Sequence, residues 1–563
     1  MPFLPEHPRF KGISLPPSGW VLAILLVVYI FIGLIGHDPW KHDDAVSIGI
    51  VYDIVRHGHW LTPQLAGQAY PDAPFYYWTA AFTAHLFSWL LPLHDAARLA
   101  SGLYTLLALE FILLAARELH GRDHAAAAPL ILAGSIGFLF HAHEAQPMLA
   151  ALTAHTAAYW AVALRSRRPH LATAVFGIAL ALGFLTNGLL PVLTLVPATV
   201  AFLWVSENRK HSALLLLLAL MLALLLTALW LVPLHISEPR YFAAFLTNEI
   251  SALTEPVQAI PNSLRYLNML LWYAWPALPL AAWALWAKRR QLTAKPLALP
   301  VFSFLATLLI LGLEVEARSS ATLLLLPPLV LLAVPGVTSL RRGAANAFDW
   351  FGMMTFSIFA VVVWTVWSAM VFGWPTRLAR QAVRLEPGFV GHFNLFACLF
   401  ATLLTLIWFW LIITSPRSSM RGIMHWMAGL TLFWVLIAVL WMPWIDYGKT
   451  YRPLSASLAQ ALPDNANCVA NANLPDSIVA SLDYFDGIRT VPLQNSSSKR
   501  CSWLLVLGQA RDPGAISAAG WRMVWEDKRP GDRRESDKFR LYHRLSKAKT
   551  ATALSDIPVN MPE

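Results

Sequence analysis

The densest group of residues that could do chemistry is Trp40-Lys41-His42-Asp43-Asp44, which closely follows an apolar run. Carboxylates beside a membrane surface are unfavourable unless they are solvated or functional. A carboxylate in such a place can take the proton of an attacking hydroxyl group, so Asp43 and Asp44 are candidates for acid–base catalysis. The alternative is structural: the helix-like spacing of 45–56 predicts a helix along the membrane interface, with Asp43 as its N-cap.

A second polar group places three potential metal ligands within four positions, at His141, His143 and Glu144. Together with Asp43 and Asp44 on the same face, these residues could hold a divalent metal ion, the one cofactor that the sequence indicates. The alternative is a hydrogen-bonded cluster at a helix end. The sequence contains no phosphate-binding Gly-rich loop with Lys-Ser/Thr, GxSxG, HExxH or CxxC motif. An enzyme that uses a nucleotide through its own phosphate loop is therefore not expected.

The elements that must position these residues are membrane helices. Of the 563 residues, 57% are hydrophobic and 13% are charged, and the charged share is about half that of soluble proteins. This composition excludes a disordered chain, a collagen and a small disulfide-rich scaffold. Since a span needs ~20 mostly apolar residues, the sequence predicts about thirteen spans, at roughly 19–36, 98–116, 125–142, 148–164, 171–186, 188–205, 212–234, 266–287, 297–313, 320–336, 350–373, 394–414 and 423–443.

Basic residues predict the orientation of these spans, because Lys and Arg are enriched in cytoplasmic loops. They fall in the N-terminal segment and in alternate short loops, at Arg9, Lys11, Arg117, Arg122, Arg165, Arg167, Arg168, Arg209, Lys210, Lys288, Arg289, Arg290, Lys295, Arg341, Arg342, Arg417 and Arg421. The intervening loops are longer and poorer in basic residues. The N-terminus is therefore expected in the cytoplasm and the C-terminus outside. The net charge of +10 mostly reflects this topology, and nucleic-acid binding is not expected.

The polar parts of the chain divide it into segments of different character. We predict an α-helical polytopic membrane domain over 1–444, with a first external loop over 37–97 that carries interfacial helices. A small extracytoplasmic α/β domain is expected over 445–545, followed by a flexible tail over 546–563. Within the small domain, a helix is predicted over 454–462 and strands at 468–470, 502–507 and 539–543. Cys468 and Cys501 either form a disulfide in an oxidising periplasm or remain two small unpaired residues.

The residues after the Asp pair extend into a longer pattern of five segments. Gly58-His59-Trp60-Leu61-Thr62-Pro63 is followed by Gly67, by Tyr70-Pro71-Asp72-Ala73-Pro74-Phe75-Tyr76-Tyr77-Trp78, and by Ala97-Arg98-Leu99. This order resembles the first external loop of bacterial GT-C glycosyltransferases of the family 39 type. That group includes the aminoarabinose transferases that act on lipid A and the protein O-mannosyltransferases. The number of spans and the external C-terminal domain resemble the aminoarabinose transferase branch.

The resemblance implies an enzyme that transfers a sugar from a polyprenyl-phosphate donor, with inversion, at the periplasmic face of the bacterial inner membrane. The acceptor would be a lipid, a glycan or a protein. By this resemblance Asp43 is the catalytic base, with Asp44 beside it and Glu144 as the nearest carboxylate to a second acidic position of the family. The residues expected to bind the substrate or its phosphate are Lys41, Asp72, Tyr77, Arg98, Arg240 and Arg318, although each arginine could instead anchor to lipid headgroups.

The chain departs from the family pattern at three places. A family Lys-Pro-Pro segment reads Asp72-Ala73-Pro74, a second acidic position falls on Gln146 or Pro147, and a Gly-x-x-x-Lys-Gly element has Asn187 in place of its Lys. These departures indicate a divergent subfamily with another donor or acceptor, or reduced activity.

Two other classes of function remain as alternatives to the transferase. A transporter or flippase of a lipid-linked substrate would be expected to show repeated halves and charges near the midplane. A non-catalytic membrane scaffold would present the C-terminal domain without chemistry. If the chain is a transferase, a cavity with apolar walls is expected between the first external loop and the loops 235–265 and 314–319, open to membrane lipids.

Overall fold

The structure is a computed structural model of the chain. It describes residues 19–545 except 205–208, 255–258, 293, 315–316, 417, 464–465, 467, 473, 496–497, 499, 509–519 and 535–536. The predicted flexible tail over 546–563 and the basic residues Arg9, Lys11 and Arg417 lie outside the described residues.

Long apolar helices form the bulk of the molecule. In the described part of the chain, nine helices are long and apolar enough to cross a membrane, or up to eleven if each of two bent helix pairs forms one span. The helices of the bundle are α1 (Gly19–Phe31), α4 (Leu93–His120), α5 (Arg122–Ala125), α6 (Ala127–Ala133), α7 (Ile136–Ala142), α8 (Pro147–Leu164), α9 (Pro169–Asn187), α10 (Leu190–Trp204), α11 (Arg209–Ser237), α13 (Ala259–Tyr273), α14 (Ala277–Ala287), α15 (Lys295–Gly312), α16 (Leu326–Ser339), α17 (Arg342–Phe372), α19 (Leu395–Thr414), α20 (Arg421–Leu436) and α21 (Met442–Lys449). A 3₁₀ turn over Ala321–Leu325 precedes α16, and a π-helical turn over Ile437–Trp441 joins α20 to α21.

This arrangement confirms the predicted polytopic helical architecture. Each of the thirteen predicted spans coincides with one helix or with two or three consecutive helical segments, and the described parts of α1 and α10 are shorter than a full span. The helix axis turns by 65° between 122–133 and 136–142. It turns by 104° between 261–273 and 277–287. A hydropathy window measures length rather than direction, so it could not predict these bends.

Packing within the bundle follows the membrane environment. Helices α4 and α8 pack against each other, and both carry buried alanines such as Ala108 and Ala158, small residues that let membrane helices approach closely. Helices α11 and α19 instead expose large apolar side chains: 69% of the surface of Leu224 and 81% of that of Ile413 are exposed. Such surfaces are favourable only against lipid, which agrees with the apolar composition.

The first loop is an ordered layer on one end of the bundle. It contains α2 (His42–His57), a two-stranded ribbon of β1 (Gln64–Leu65) and β2 (Gln68–Ala69), and α3 (Phe75–Phe87). The helix α2 ends where Gly58 takes the left-handed conformation and returns its N–H to the carbonyl of Ile54. The loop was predicted to reach residue 97, but α4 already begins at Leu93.

The C-terminal domain is built on one five-stranded sheet. Its strands are β3 (Val469–Ala472), β4 (Thr490–Pro492), β5 (Trp503–Leu507), β6 (Trp521–Asp527) and β7 (Phe539–Arg544), and their order across the sheet is β4-β3-β5-β7-β6. The first three run parallel, and β7 pairs antiparallel with β5 and β6. Two helices, α22 (Arg452–Ala461) and α23 (Asp476–Asp486), accompany the sheet.

The small domain packs against the first loop. Helix α23 lies on α2, and Gly49 of α2 sits so close to Ala480 of α23 that a Cβ at residue 49 would lie 2.9 Å from the Ala480 Cβ. We call the end of the bundle that carries the first loop and this domain the domain face. Amphipathic helices α12 (Pro239–Thr254) and α18 (Thr376–Leu385) complete the list of elements.

Candidate active site

The Asp43 side chain lies in the first turn of α2 at the domain face. The helix begins at His42 with Lys41 at the N-cap, and no side chain caps it, so the alternative of Asp43 as the N-cap is wrong. Asp43 is half-buried, and its Oδ2 accepts a hydrogen bond of 2.9 Å from Nε2 of the buried Gln146. The amide of Gln146 thus occupies one carboxylate oxygen and leaves the other available to accept a proton.

A network of buried groups fixes Gln146 in turn. Its backbone N–H donates to the Tyr76 hydroxyl at 2.9 Å, and that hydroxyl lies 2.7 Å from the Ser101 Oγ. Both Gln146 and Tyr76 are fully or almost fully buried. The orientation of the Asp43 carboxylate therefore depends on helices α3, α4 and α8 together.

Asp44, in contrast to Asp43, is buried, and a buried arginine binds both of its carboxylate oxygens. The Arg98 guanidinium donates to both Asp44 carboxylate oxygens, at 3.0 Å from Nε and 2.7 Å from the terminal nitrogen, and it has no exposed surface. It also donates to Asp95 at 3.1 Å and to the carbonyl of His37 at 2.8 Å. Burial alone would raise the pKa of Asp44, but the charge of Arg98 more than offsets this and lowers it.

This geometry corrects two of the expected roles. The Arg98 side chain was predicted to bind phosphate and Asp44 to take part in catalysis, yet each is occupied by the other inside the protein. Both residues instead hold α4 against the start of α2, which keeps Asp43 at the surface of this layer.

Two of the three predicted metal ligands, Glu144 and His143, are held by other partners. Lys41 makes an ion pair with the buried Glu144, and His141 Nδ1 lies 3.8 Å from the same carboxylate. Burial raises the pKa of Glu144, and the charge of Lys41 with the His141 contact lowers it further than burial raises it. His143 faces carbonyl oxygens of Leu139 and Tyr29 with its two ring nitrogens.

These contacts occupy the Glu144 carboxylate and the His143 ring nitrogens, which a metal ion would need as ligands. In the ranges that the structure describes, no three His, Cys, Asp or Glu side chains form a group that could hold a metal ion. The expectation of a site built on His141 and His143 is not supported, since His143 is used by the backbone of its neighbours.

A cavity of about 250 Å³ lies at the place predicted for the substrate, between the first loop and the two later loops. Its polar lining comprises Asp72, Asn187, Asn248, Glu249, Glu314 and Arg318. Its apolar lining is Leu189, Leu190, Leu193, Ile310 and Leu313. Three carboxylates and one guanidinium thus share a pocket whose other wall suits hydrocarbon.

Tyrosines hold the Asp72 carboxylate in this cavity. The buried Tyr77 donates its hydroxyl to Asp72 Oδ2 at 2.6 Å. Tyr241 of α12 accepts from the backbone N–H of Asp72 at 3.2 Å and donates to the Tyr70 carbonyl at 2.6 Å. Burial raises the pKa of Asp72, and the hydrogen bond from Tyr77 lowers it by less.

The remaining charged groups of the cavity come from α12 and from the loop that follows α15. Glu249 accepts from the backbone N–H of Leu189 at 2.6 Å, just after Gly188 in the turn between α9 and α10. A Cβ at Gly188 would lie 2.1 Å from the Glu249 carboxylate, so this approach requires glycine. Burial is the main reason why the pKa of Glu249 is raised. Arg318, with 61% of its side chain exposed, pairs with Glu314 at 3.3 Å.

Three further predicted residues, Arg240, Cys468 and Cys501, lie away from this cavity. Arg240 is exposed in the first turn of α12 and is not part of the cavity lining. Cys468 and Cys501 are joined by a disulfide across the starts of β3 and β5, with a Cα–Cα distance of 4.8 Å.

Sequence reasoning missed several residues of the site. Gln146 was noted only as a lost acidic position, although it is the donor that orients Asp43. Glu249, Glu314 and Tyr241 were not singled out, since each is a lone polar residue in an otherwise unremarkable segment. Only their positions in the sequence could have pointed to the site, because all three fall in or beside the loops predicted to face the first loop.

A bundle of helices long enough to cross a membrane, an ordered first loop with a carboxylate at its helix start, and a small α/β domain on the same face are the parts that the resemblance to the GT-C glycosyltransferases predicts. The comparisons with known proteins bear on this class in two ways, through sequence relatives and through solved structures.

The chain is 27% identical over 547 residues to the undecaprenyl phosphate-α-4-amino-4-deoxy-L-arabinose arabinosyl transferase of Pseudomonas aeruginosa, with 92% of this chain and 86% of that protein covered. It is 24% identical over 466 residues to transferase 2 of the same description from Pseudomonas fluorescens, covering 77% and 75%. ArnT from Cupriavidus metallidurans, solved with bound undecaprenyl phosphate, matches with a TM-score of 0.67 at 16% identity, covering 94% of this chain and 99% of that one. No protein-family model matches the chain.

These relatives confirm the resemblance predicted from the first external loop. The chain has the fold of ArnT, and it is a multi-span membrane glycosyltransferase related in sequence to the arabinosyl transferases.

Proposed function

We propose that the protein transfers a sugar from an undecaprenyl-phosphate-type donor to an acceptor at the domain face, with Asp43 as the general base. The observation that carries this proposal is the contrast between two adjacent carboxylates. Arg98 occupies Asp44 inside the protein, whereas Asp43 stays half-exposed and is fixed by a neutral amide. The relatives support the donor class, since their names describe an undecaprenyl phosphate-linked sugar.

The reaction follows from this placement. The acceptor oxygen forms a bond to the anomeric carbon of the sugar while its proton passes to the Asp43 carboxylate. The bond between that carbon and the lipid phosphate breaks, and its electron pair leaves with the phosphate. Attack opposite to the leaving group inverts the configuration of the anomeric carbon. Lys41 and Arg318 are the cations that would stabilise the phosphate, each already oriented by a glutamate.

The cavity favours an amino sugar. Among the described residues of its lining, Asp72, Glu249 and Glu314 outnumber the cation Arg318, so a positively charged group is stabilised there. The relatives are named for a 4-amino-4-deoxy sugar, which carries such a group at neutral pH. Leu193 and Ile310 on the other wall provide a surface for the first units of a lipid chain.

The protein is proposed to act in the inner membrane of a bacterium, with the N-terminus in the cytoplasm and the domain face in the periplasm. The distribution of Lys and Arg among alternate loops supports this orientation. The acceptor would then be a lipid, a glycan or a protein that is accessible from the periplasm.

The test is a transfer assay with the full chain in liposomes, using radiolabelled undecaprenyl-phosphate sugars. Asp43→Asn is expected to lower the rate by roughly 10²–10⁴-fold, the range for loss of a general base, with donor binding retained. Asp123→Asn, at an exposed position in α5, serves as the matched control. Undiminished transfer by Asp43→Asn would remove the base assignment, and no transfer across a broad donor panel would favour the transporter or scaffold alternatives.

A further inference from the structure

A second polar cavity of about 360 Å³ lies outside the site just described, between the β1–β2 ribbon and the C-terminal domain. The ribbon contributes Gln68, Ala69 and Tyr70 to one wall, and the domain contributes Asn471, Asp476 and Gln494 to the other. Leu65, Leu474 and Val479 form its floor. We call this space the ribbon cleft. The transfer reaction as derived above makes no use of it.

The ribbon cleft lies at a part of the sheet that commonly binds ligands. Asn471 stands in β3, Leu474 and Asp476 follow that strand, and Gln494 follows β4. These residues lie at the carboxyl ends of β3 and β4, two neighbouring parallel strands. In open α/β sheets, ligands bind outside the carboxyl ends of the strands.

The chemistry of the lining suits hydroxyl groups. Gln68 donates its amide nitrogen to the Thr490 carbonyl at 2.9 Å, and Asn471 donates its own to the Thr490 hydroxyl at 2.7 Å. These bonds orient two amides whose carbonyl oxygens can accept from sugar hydroxyls. The Asp476 carboxylate adds a stronger acceptor, and the Tyr70 ring adds an apolar face.

The charge of the ribbon cleft disfavours anions. Asp476 is its one charged residue among the described lining, and Arg489, which packs beside Gly67 at the turn of the ribbon, is paired with Asp483. Among the described lining residues, a phosphorylated ligand would meet the Asp476 carboxylate and no cation.

Tyr70 connects the ribbon cleft to the reaction site. It lines the cleft, and its carbonyl accepts from Tyr241, which also holds the backbone of Asp72. Burial raises the pKa of the Tyr70 hydroxyl, and the charges of Asp72, Asp476 and Asp43 raise it further. Tyr70 thus lines the ribbon cleft, and Asp72, two residues further on, lines the cavity described above.

We infer that the ribbon cleft binds the acceptor, and that the acceptor is an uncharged saccharide whose reacting hydroxyl extends past Tyr70 towards Asp43. This inference rests on the proposed function, because it assigns the acceptor of that transfer. It narrows the acceptor classes from lipid, glycan or protein to a glycan or a glycolipid headgroup without phosphate at the cleft.

The experiment measures binding to the full chain in nanodiscs by saturation-transfer difference NMR. The probes are N,N′-diacetylchitobiose, the same disaccharide carrying a 1-phosphate, and a Ser/Thr-rich peptide. The neutral disaccharide is expected to bind in preference to the other two. Asp476→Ala removes a charged hydrogen-bond acceptor and is expected to weaken its binding roughly tenfold. Asp486→Ala, at an exposed position near the other end of α23, is the matched control and should bind as the wild type does.

A second variant tests the ribbon cleft by filling it, so that the test does not depend on the loss of one hydrogen bond at Asp476. Ala69 is exposed on the ribbon and lines the cleft, so Ala69→Trp should abolish disaccharide binding, whereas Gln460→Trp on the exposed side of α22 should not. Stronger binding of the phosphorylated disaccharide or of the peptide would overturn the inference, as would unchanged binding in both cleft variants.

Binding of undecaprenyl phosphate, measured in the same nanodiscs, separates this inference from the proposed function. The cleft variants are expected to bind that lipid like the wild type. If no variant and no wild-type protein binds it, the proposed function fails on its own, while the disaccharide result still decides whether the ribbon cleft is a saccharide site.

Discussion

At the scale of single residues, the pair Asp44–Arg98 is the most consequential contact of the first loop. Arg98 has no exposed surface, and the Asp44 side chain is 2% exposed. Desolvation makes such a pair a weak source of net stability, but removal of one partner leaves the other charged and buried. The pair therefore acts as a constraint on the position of α2 relative to α4.

We predict that Arg98→Gln lowers the free energy of unfolding by about 3–5 kcal/mol, the range for breaking a buried ion pair. Denaturant unfolding in detergent micelles measures this. Arg167→Gln is the control, because Arg167 is 75% exposed in its pair with Glu118, and an exposed pair contributes about 1 kcal/mol or less. Equal effects of the two substitutions would contradict the structural role of Arg98.

The sequence singled out both aspartates, but it could not predict which partner each of them would meet. Asp43 and Asp44 are neighbours in the chain, yet successive helix residues face different directions. One therefore meets Gln146 and the other meets Arg98, from helices that are distant in sequence. Only the packing of α2 against α4 and α8 decides which carboxylate stays accessible.

At the scale of elements, the sequence predicted where the apolar helices lie and how long they are, but it did not predict the bends within them. All thirteen predicted spans correspond to helices, because ~20 apolar residues in a row have few other stable structures in a bilayer. In the C-terminal domain, α22 and the strands β3, β5 and β7 were predicted, while α23, β4 and β6 were missed. The strand β6 is mostly exposed and β4 has three residues, so neither carries a clear alternation of apolar and polar positions.

The disulfide is the covalent link of this domain. It joins residues 33 positions apart and closes a segment that contains β3, α23 and β4. Replacing both Cys468 and Cys501 by serine is expected to lower the stability of the domain by about 2–4 kcal/mol, since the unfolded chain regains the freedom that the link removes.

Thermal unfolding of the full chain, with and without a reducing agent, measures this effect. The reducing agent should lower the unfolding temperature of the wild type and leave that of the double variant unchanged. Cys398→Ser, a residue of α19 that forms no disulfide, should respond to the reducing agent as the wild type does. A wild type that is insensitive to reduction under unfolding conditions would show that the link does not stabilise the domain.

At the scale of the whole molecule, the proposed chemistry needs the small domain to stay seated on the bundle. Asp38, just before α2, accepts hydrogen bonds from the Arg452 guanidinium, at 2.9 Å from Nε, and from the Thr450 hydroxyl at 2.7 Å. Its backbone N–H donates to Asp446 at 2.9 Å. One loop residue thus joins the first loop to the segment that leads into the C-terminal domain.

The charge of Asp38 makes this joint dependent on pH. Burial would raise the pKa of Asp38, but the hydrogen bonds from Arg452 and Thr450 lower it below its ordinary value. A carboxyl group whose pKa is lowered by folding stabilises the protein above its unfolded pKa of about 3.9, and this contribution is lost as the pH falls through the lower folded value.

We therefore predict that Asp38→Asn loosens the domain at neutral pH and has a smaller effect in acid. Relative to the wild type, the variant should unfold at lower temperature at pH 7, and the difference should shrink as the pH falls below about 4. Because the ribbon cleft lies between the two joined parts, the variant should also raise the KM for the acceptor more than the KM for the donor.

Asp486→Asn, on the exposed end of α23, is the control and should change neither the unfolding temperature nor the KM for the acceptor. A difference in unfolding temperature that stays constant from pH 7 to pH 3 would mean that Asp38 acts without its charge, and an unchanged acceptor KM would mean that the transfer site does not depend on how the domain is seated.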